Sequence, residues 1–149
     1  VEASEHGCDQ VCFLDAVEPR WVEELGGMNL FFALDDGTLV TPELTGTILE
    51  GVTRRSILQI ATDLGHEVVE RRVSLEEWRQ GAASGKVREV FACGTAAVVT
   101  PVGRLASAAG DVVMGDGTTG PVTAAVRQAL LDVQQGRADD VHGWMHRLV

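Results

Sequence analysis

The chain has 149 residues, of which 45% are apolar, and this favours one folded domain with a real core. Its formal net charge is −10 and its basic side chains form no stripe, which argues against binding nucleic acid through a basic surface. No apolar run reaches the roughly 18 residues needed to cross a bilayer.

The first third of the chain predicts a β-meander. A short helix is expected to end at Gly7, and extended runs separated by turn residues follow it. The predicted strands cover residues 10–14, 21–25, 28–34 and 38–41. Gly26-Gly27 interrupts the second and third runs, so we expect a bulge or a close ligand approach there.

The rest of the chain predicts helices between strands. Apolar residues at helical spacing over 52–64 predict a helix that ends at Gly65. Ser74-Leu75-Glu76-Glu77 has the capping-box pattern and starts a short second helix. Strands are predicted at 66–73, 87–92 and 97–102, a glycine-rich hairpin at 103–117, and a last helix from Gly120 to about Gln135. Antiparallel groups with helices between them favour an α+β fold.

Two short turns carry the strongest functional signal, Gly51-Val52-Thr53-Arg54 and Cys93-Gly94-Thr95-Ala96. In each, glycine lets the backbone approach a ligand and threonine adds a hydroxyl beside free amides. The first turn opens into a helix, whose N-terminus favours an anion, although Thr53 could also be a simple cap. Glu24 adds a carboxylate just before an apolar strand, and together these elements indicate a phosphorylated cofactor.

The runs 24–31, 49–54 and 91–102 closely resemble branched-chain amino acid aminotransferases, which are pyridoxal 5′-phosphate enzymes of fold type IV. Gly120-Pro121-Val122-Thr123 and His142-Gly143-Trp144 are similar to that family too. The resemblance implies that residues 1–149 form the C-terminal large domain, a mostly antiparallel β pseudo-barrel flanked by helices. It also implies that the small N-terminal domain and the catalytic lysine lie upstream of Val1, so that this chain alone is inactive and contains no catalytic residue.

The activity implied for the parent protein is transfer of the amino group of leucine, isoleucine or valine to 2-oxoglutarate. The resemblance further implies a homodimer that serves amino-acid biosynthesis. The cysteines predict a cytoplasmic location, and the charge and the short apolar runs predict no nucleic-acid or membrane partner. D-amino acid aminotransferases and aminodeoxychorismate lyases share the glutamate and asparagine motif, so they remain alternatives. A non-catalytic module that holds only the phosphate end of the cofactor is a further alternative.

The resemblance also gives roles to single residues. Glu24 would keep the pyridine nitrogen protonated, so that the ring draws electron density from a developing carbanion. Strand alternation places Glu23 on the opposite face. Leu49 would pack on the ring, with ordinary core as its alternative. The cofactor-binding set is Glu24, Leu49, Gly51, Val52, Thr53, Gly94 and Thr95, and the substrate-binding positions are Gly27 and Ala96. Gly27 stands where many relatives carry threonine.

The remaining reactive residues favour structural interpretations. Lys86 is the only lysine, but it lies in a polar connector and not in a desolvating pocket. Cys93 is expected to be a small buried residue. Cys8 and Cys12 lack further ligands for a metal, and an odd number of cysteines without a secretion signal indicates a reduced, cytosolic protein.

Two further groups of charged or polar side chains are less decisive. Arg54 and Arg55 open the first long helix, where either could serve an anion, although a surface position is favoured for Arg55. His142 and His146 are predicted to lie in a solvated tail without a metal. Trp78 and Trp144 are predicted to be packing residues.

Overall fold

The structure is a computed structural model that describes residues 2–146 and 148. Over these residues it contains four helices, a seven-stranded sheet and a separate two-stranded hairpin. The helices are α1 (Glu2–Glu5), α2 (Val52–Asp63), α3 (Leu75–Ser84) and α4 (Pro121–Gln134). The strands are β1 (Cys12–Leu14), β2 (Val22–Leu25), β3 (Met28–Leu34), β4 (Leu39–Thr41), β5 (Val68–Glu70), β6 (Val87–Gly94), β7 (Val98–Pro101), β8 (Arg104–Leu105) and β9 (Val112–Val113).

Strand β3 is the centre of the sheet. It pairs with β6 along one edge, and β6 in turn pairs with β7. Along its other edge the first part of β3 pairs with β2 and the last part with β4. Because helices cover both faces, β3 and β6 read as nearly continuous apolar runs, unlike the alternating pattern of a half-exposed strand.

Each face of the sheet packs against its own helices. On one face, Phe32 lies edge-on to Trp78 of α3, with ring centroids 5.1 Å apart. On the other face, Phe31 stacks on Phe91 at 5.1 Å, and these rings pack under Ile57 of α2 and Val126 of α4. Alternate residues of β3 therefore serve two separate cores, and the α2–α4 face also carries the candidate site. Trp78 is fully buried, as the sequence predicts.

The predicted α+β fold class is confirmed, and the deviations are local. β1 to β4 form the expected antiparallel meander. The run predicted as a strand over 66–73 shortens to β5, which is parallel to β4. Of the two alternatives at Gly26-Gly27, the bulge is wrong, because both residues have positive φ (56° and 85°) and close a tight two-residue hairpin between Leu25 and Met28. The close ligand approach there stays a prediction.

The long helices begin in three different ways. Ser74 caps α3 by accepting the amide of Glu77 at 3.0 Å, which is half of the predicted capping box. The N-terminus of α4 is met by the buried carboxylate of Glu89, which accepts from the amides of Val122 and Thr123 at 3.0 and 2.8 Å. Helix α2 begins after Gly51 with no side-chain cap, so its first turn remains available to a ligand.

Candidate cofactor site

The candidate site is built on a row of three residues that face one another across adjacent strands. Glu24 of β2 lies opposite Asn29 of β3, and Asn29 lies opposite Cys93 of β6. Directly opposed residues of antiparallel strands point to the same side of the sheet, so this row faces the side covered by α2 and α4. The row spans two strand spacings, about 10 Å.

Asn29 joins this row to the first glycine–threonine turn. Its side-chain Nδ2 donates to the carbonyl oxygen of Leu49 at 2.8 Å, and a Cβ added to Gly51 would overlap its Oδ1 atom. Gly51 has a φ of +64°, which also favours glycine. The sequence motif includes Asn29, but sequence reasoning gave it no role. A lone polar residue within the apolar run of β3 was the signal that could have found it.

The N-terminus of α2 is open toward the same end of the sheet. Gly51 is the N-cap residue and Val52 the first helical residue, so Thr53 is the second. The interpretation of Thr53 as a simple cap is therefore wrong. Unlike α4, whose first amides bond to a buried carboxylate, α2 presents its amides beside a threonine without a side-chain cap. An anion is the ligand that such a helix end favours.

The second glycine–threonine turn lies at the adjacent strand end. Strand β6 ends at Gly94, directly after Cys93 of the row, and the exposed Thr95 and Ala96 follow. Val98 closes this turn opposite Gly94 with a φ of +59°, a strained conformation for a β-branched residue. Strain of this kind concentrates at ligand sites. Both glycine–threonine turns and Glu24 thus meet at one end of the sheet.

Apolar side chains are exposed around this end of the sheet. Leu49 is 70% exposed and Val52 is 73% exposed, and the aromatic ring of Phe13 lies half-exposed on β1 opposite Glu24. The alternative of ordinary core for Leu49 is therefore wrong. Gly27 is exposed in the β2–β3 turn, with open space where a side chain would be. The arrangement suits a ligand with an apolar ring between a charged end and a basic nitrogen.

The expected alternation of Glu23 and Glu24 does not hold. Glu24 is opposite Phe13 of β1, but the next pair joins Leu14 to Val22, so Glu23 is skipped by a bulge. The Glu23 carboxylate accepts a hydrogen bond from Thr47, in the loop that also carries Leu49. The Glu23 carboxylate therefore already has a hydrogen-bond donor within the protein. Among the described residues no side-chain or backbone group bonds to the Glu24 carboxylate, which is half-buried.

Arg54 is not an anion-binding side chain on the surface. It is only 3% exposed, and its guanidinium donates to Glu70 at 2.7 Å and to the carbonyl of Pro42 at 3.0 Å. These bonds fix α2 to the ends of β4 and β5. Arg55 is exposed, as favoured.

Cys93 is buried in the core, and His142 contacts α2. Cys93 is buried, as predicted, and burial raises the pKa of its thiol to about 12, against a smaller opposing effect of the Arg54 charge. His142 is exposed, as predicted for a solvated tail, but it is also anchored, because it bonds to Asp63 of α2 at 2.6 Å and stacks on Trp144. Over residues 2–146 and 148, no group of three metal-ligating side chains comes together.

Lys86 is remote from the candidate site. It precedes β6, whereas Gly94 ends that strand, and its carbonyl accepts the amide of Asp35 at the far end of β3. Eight strand residues at about 3.3 Å each put Lys86 some 25 Å from Gly94 and the second glycine–threonine turn.

The family model for "Amino-transferase class IV" matches residues 1–105. The chain belongs to the class IV aminotransferases. It is 56% identical over 147 residues to a probable branched-chain-amino-acid aminotransferase of Streptomyces coelicolor, and 55% identical over 150 residues to the branched-chain-amino-acid aminotransferase of Mycobacterium tuberculosis. Each match covers 99% of this chain but only 40% and 41% of those proteins. The class IV chain therefore spans about two fifths of the length of these curated relatives.

Solved structures agree with this assignment to the class IV family. The branched-chain amino acid aminotransferase of Escherichia coli superposes with a TM-score of 0.79 at 36% identity, over 98% of this chain and 44% of that one. The T.th. branched-chain amino acid aminotransferase in complex with 4-methylvaleric acid gives a TM-score of 0.81 at 36% identity, over 97% of this chain and 44% of that one. Another structure of the T.th. enzyme contains pyridoxamine 5′-phosphate.

The site of this class IV chain fits a phosphorylated pyridine cofactor. The uncapped first turn of α2 offers amides to a phosphate, and the Glu24 carboxylate has no bonded partner among the described residues. Leu49, two residues before the N-cap of α2, has an exposed apolar side chain. Of the helices in the described ranges, none is both long and apolar enough to span a membrane.

Proposed function

We propose that the parent protein is a branched-chain amino acid aminotransferase that uses pyridoxal 5′-phosphate, and that residues 1–149 are its cofactor-binding domain. The observation that carries the proposal is the row from Glu24 through Asn29 to Cys93, which brings Glu24 and both glycine–threonine turns to one end of the sheet. The high identity to branched-chain enzymes over nearly the whole chain supports this choice of substrate class.

Each residue would have a distinct task in that reaction. The cofactor supplies an electron-withdrawing ring that stabilises negative charge at the substrate α-carbon. Glu24 provides the negative charge that holds a proton on the pyridine nitrogen. The amides of Val52 and Thr53, with the hydroxyls of Thr53 and Thr95, bind the phosphate, and Gly51 and Gly94 let the backbone approach it. Leu49 covers the ring.

The substrate would lie beside the second turn. The amide of Ala96 would bind the substrate carboxylate, and Gly27 leaves open space in the β2–β3 turn. One structure of the T.th. enzyme holds 4-methylvaleric acid, whose carbon skeleton is that of leucine without its amino group. We extend that branched-chain preference to this protein as part of the proposal, with 2-oxoglutarate as amino acceptor.

The proposal includes features of the whole protein. The lysine that binds the cofactor covalently comes from outside residues 1–149, so this chain alone is inactive. The exposed apolar side chains of Phe13, Leu49 and Val52 support a homodimer in which further protein covers the site. Three free cysteines fit a reducing cytoplasm, and a role in amino-acid biosynthesis is part of the proposal.

Absorbance spectroscopy of the full-length protein tests this function. L-leucine should convert the bound cofactor from its aldehyde-derived to its amine spectrum, and 2-oxoglutarate should restore the original spectrum. D-leucine and D-alanine are the matched controls and should leave the spectrum unchanged. Conversion by D-amino acids alone, or no conversion by any amino acid, would overturn the proposal.

A further inference from the structure

Asn29 is a buried amide with an apolar sequence around it. It is 7% exposed within the β3 sequence MNLFFAL, where every neighbour in the strand is apolar. A buried amide destabilises the fold unless it is hydrogen-bonded, so its presence in a core strand requires a partner. Its backbone lies between Glu24 and Cys93 in the row that underlies the candidate site.

The side chain of Asn29 contacts the first glycine–threonine turn and the residues just before it, through the nitrogen and the oxygen of its amide. Nδ2 donates to the carbonyl of Leu49 at 2.8 Å, and Oδ1 occupies the space where a side chain on Gly51 would project. Leu49 and Gly51 belong to the irregular segment before α2, which has no strand or helix of its own. The Asn29 amide therefore fixes the backbone that leads into the first turn of α2.

The same residue is held on its other side by the sheet. Its pairing with Glu24 sets the position of the β2 strand that presents the carboxylate. A ligand that reaches both Glu24 and the amides of α2 needs these two groups at a fixed separation, and Asn29 contacts the segments that carry both. A small error in such a separation weakens binding at both ends.

We propose that Asn29 is a positioning residue that sets the distance between the Glu24 carboxylate and the phosphate-binding turn of α2. This rests on the proposed function, because the distance matters only if one cofactor contacts both groups. The contacts of Asn29 with Leu49 and Gly51 position the turn that would bind the phosphate. Its strand pairing with Glu24 positions the carboxylate that would face the pyridine nitrogen.

The test compares Asn29→Ala with Ser74→Ala in the full-length protein. Ser74 caps α3 on the opposite face of the sheet, so its loss also removes a side-chain hydrogen bond but leaves the site untouched. Asn29→Ala should weaken pyridoxal phosphate binding about tenfold, because the Leu49 carbonyl loses its donor and the turn loosens. It should also move the ³¹P resonance of the bound cofactor, whereas Ser74→Ala should lower only the thermal midpoint.

Asn29→Asp provides a pH-dependent rescue. It keeps the shape of the side chain, but the introduced carboxyl can donate to the Leu49 carbonyl only while it is protonated. Cofactor affinity relative to wild type should therefore improve as the pH falls from about 8 to about 5. Wild type measured over the same range corrects for the titration of the cofactor itself.

Two results would overturn the inference. Either Asn29→Ala binds the cofactor as tightly as Ser74→Ala with an unmoved ³¹P resonance, or the affinity of Asn29→Asp relative to wild type does not change with pH. In both cases a wild-type protein that takes the amino group of leucine would leave the proposed function standing. A wild type that does not react would instead count against the proposed function.

Discussion

At the scale of single residues, the carboxylate of Glu24 makes the sharpest prediction. Glu24→Gln in the full-length protein should lower kcat roughly 10²-fold, because a neutral amide cannot favour a protonated pyridine nitrogen. Phosphate binding through α2 should persist, so the variant should still retain the cofactor. The measurement is steady-state transamination of leucine together with cofactor content.

Glu23→Gln is the matched control for that variant. Glu23 is adjacent in sequence and of the same type, but its carboxylate bonds to Thr47. We expect a small loss of thermal stability and nearly unchanged kcat. If the two variants lose activity equally, the assignment of Glu24 as the partner of the ring nitrogen is wrong.

Gly51 makes a second prediction at the residue scale. Gly51→Ala combines a φ of +64° with a Cβ that overlaps Asn29 Oδ1, so it should lower the thermal midpoint and weaken cofactor binding together. Gly65→Ala has a φ of +88° with no atom within 4 Å of the new Cβ, and strain alone should cost about 1–2 kcal/mol. Equal loss of stability in both would show that contact with Asn29 does not matter.

The residue scale also shows what sequence could and could not predict. The two turns and the Glu24 strand were identifiable, because glycine, threonine and an apolar run leave strong local signals. The hydrogen bonds of Glu23 and Arg54 could not be predicted, because their partners are distant in sequence. Thr47 lies 24 positions from Glu23, and Glu70 lies 16 positions from Arg54. Long-range partners of this kind are set by packing, and a single sequence does not encode them in a local pattern.

At the scale of whole elements, the N-termini of the helices differ in what binds them. A protein carboxylate binds the first amides of α4, whereas those of α2 are open to a ligand. Helix α4 is held by Glu89, whose buried carboxylate also accepts the Thr123 hydroxyl at 2.7 Å. Glu89→Gln should destabilise the protein by about 1–3 kcal/mol, because the amide retains only one acceptor oxygen for three donors. Chemical denaturation should reveal this loss.

The control for Glu89 is Glu76→Gln, on the exposed face of α3, where Gln80 is the one hydrogen-bond partner of the carboxylate in the part of the chain that the structure describes. Exposed pairs of this type contribute little, so its midpoint should stay near that of wild type. An equally mild effect of Glu89→Gln would mean that the carboxylate does not stabilise the start of α4.

The contact between the C-terminal segment and α2 makes a pH-dependent prediction. The hydrogen bond from His142, with a smaller one from Gln59, lowers the pKa of Asp63 below its usual value of 3.8. A lowered carboxyl pKa stabilises the folded state above the unfolded value and stops doing so as the pH falls through the folded value. Asp63→Asn should therefore lower the thermal midpoint at pH 7, and its difference from wild type should shrink below about pH 4.

Asp139→Asn is the control for Asp63, since Asp139 is an exposed carboxylate in the segment after α4. The difference in thermal midpoint between Asp139→Asn and wild type should be small at every pH tested. A difference for Asp63→Asn that stays constant down to about pH 2 would contradict the role of the ionised carboxylate.

The sequence predicted helices and strands best where a regular hydrophobic pattern extends over many residues. The 3.6-residue period over 52–64 located α2 to within one residue at its C-terminal end, whereas the weak alternation over 66–73 overstated β5. The parallel pairing of β5 with β4 depends on the path of α2 between them, and no residue pattern in β5 itself carries that information. The tight hairpin at Gly26-Gly27 could have been predicted from the sequence, because two adjacent glycines between extended runs favour a two-residue turn.

At the scale of the whole molecule, the sheet separates the site from the chain's one amine side chain. The site lies where β6 ends, and Lys86 lies where β6 begins, about 25 Å away along the strand. If the cofactor lies at the proposed site, its covalent amine has to come from elsewhere in the protein, because Lys86 lies at the opposite end of the strand. This supports the proposal that residues 1–149 act only as part of a larger enzyme.

Lys86→Ala in the full-length protein tests this separation. We expect kcat for leucine and the cofactor content after borohydride reduction to match wild type, because a distance of about 25 Å excludes any bond between Lys86 and a cofactor held by α2. Mass spectrometry of the reduced protein should locate the modified lysine outside residues 1–149. The isolated chain, treated in the same way, should carry no adduct at Lys86. A reduced adduct at Lys86 in either protein would mean that the cofactor lies at the opposite end of the sheet, and both the proposed site and the role of Glu24 would then be wrong.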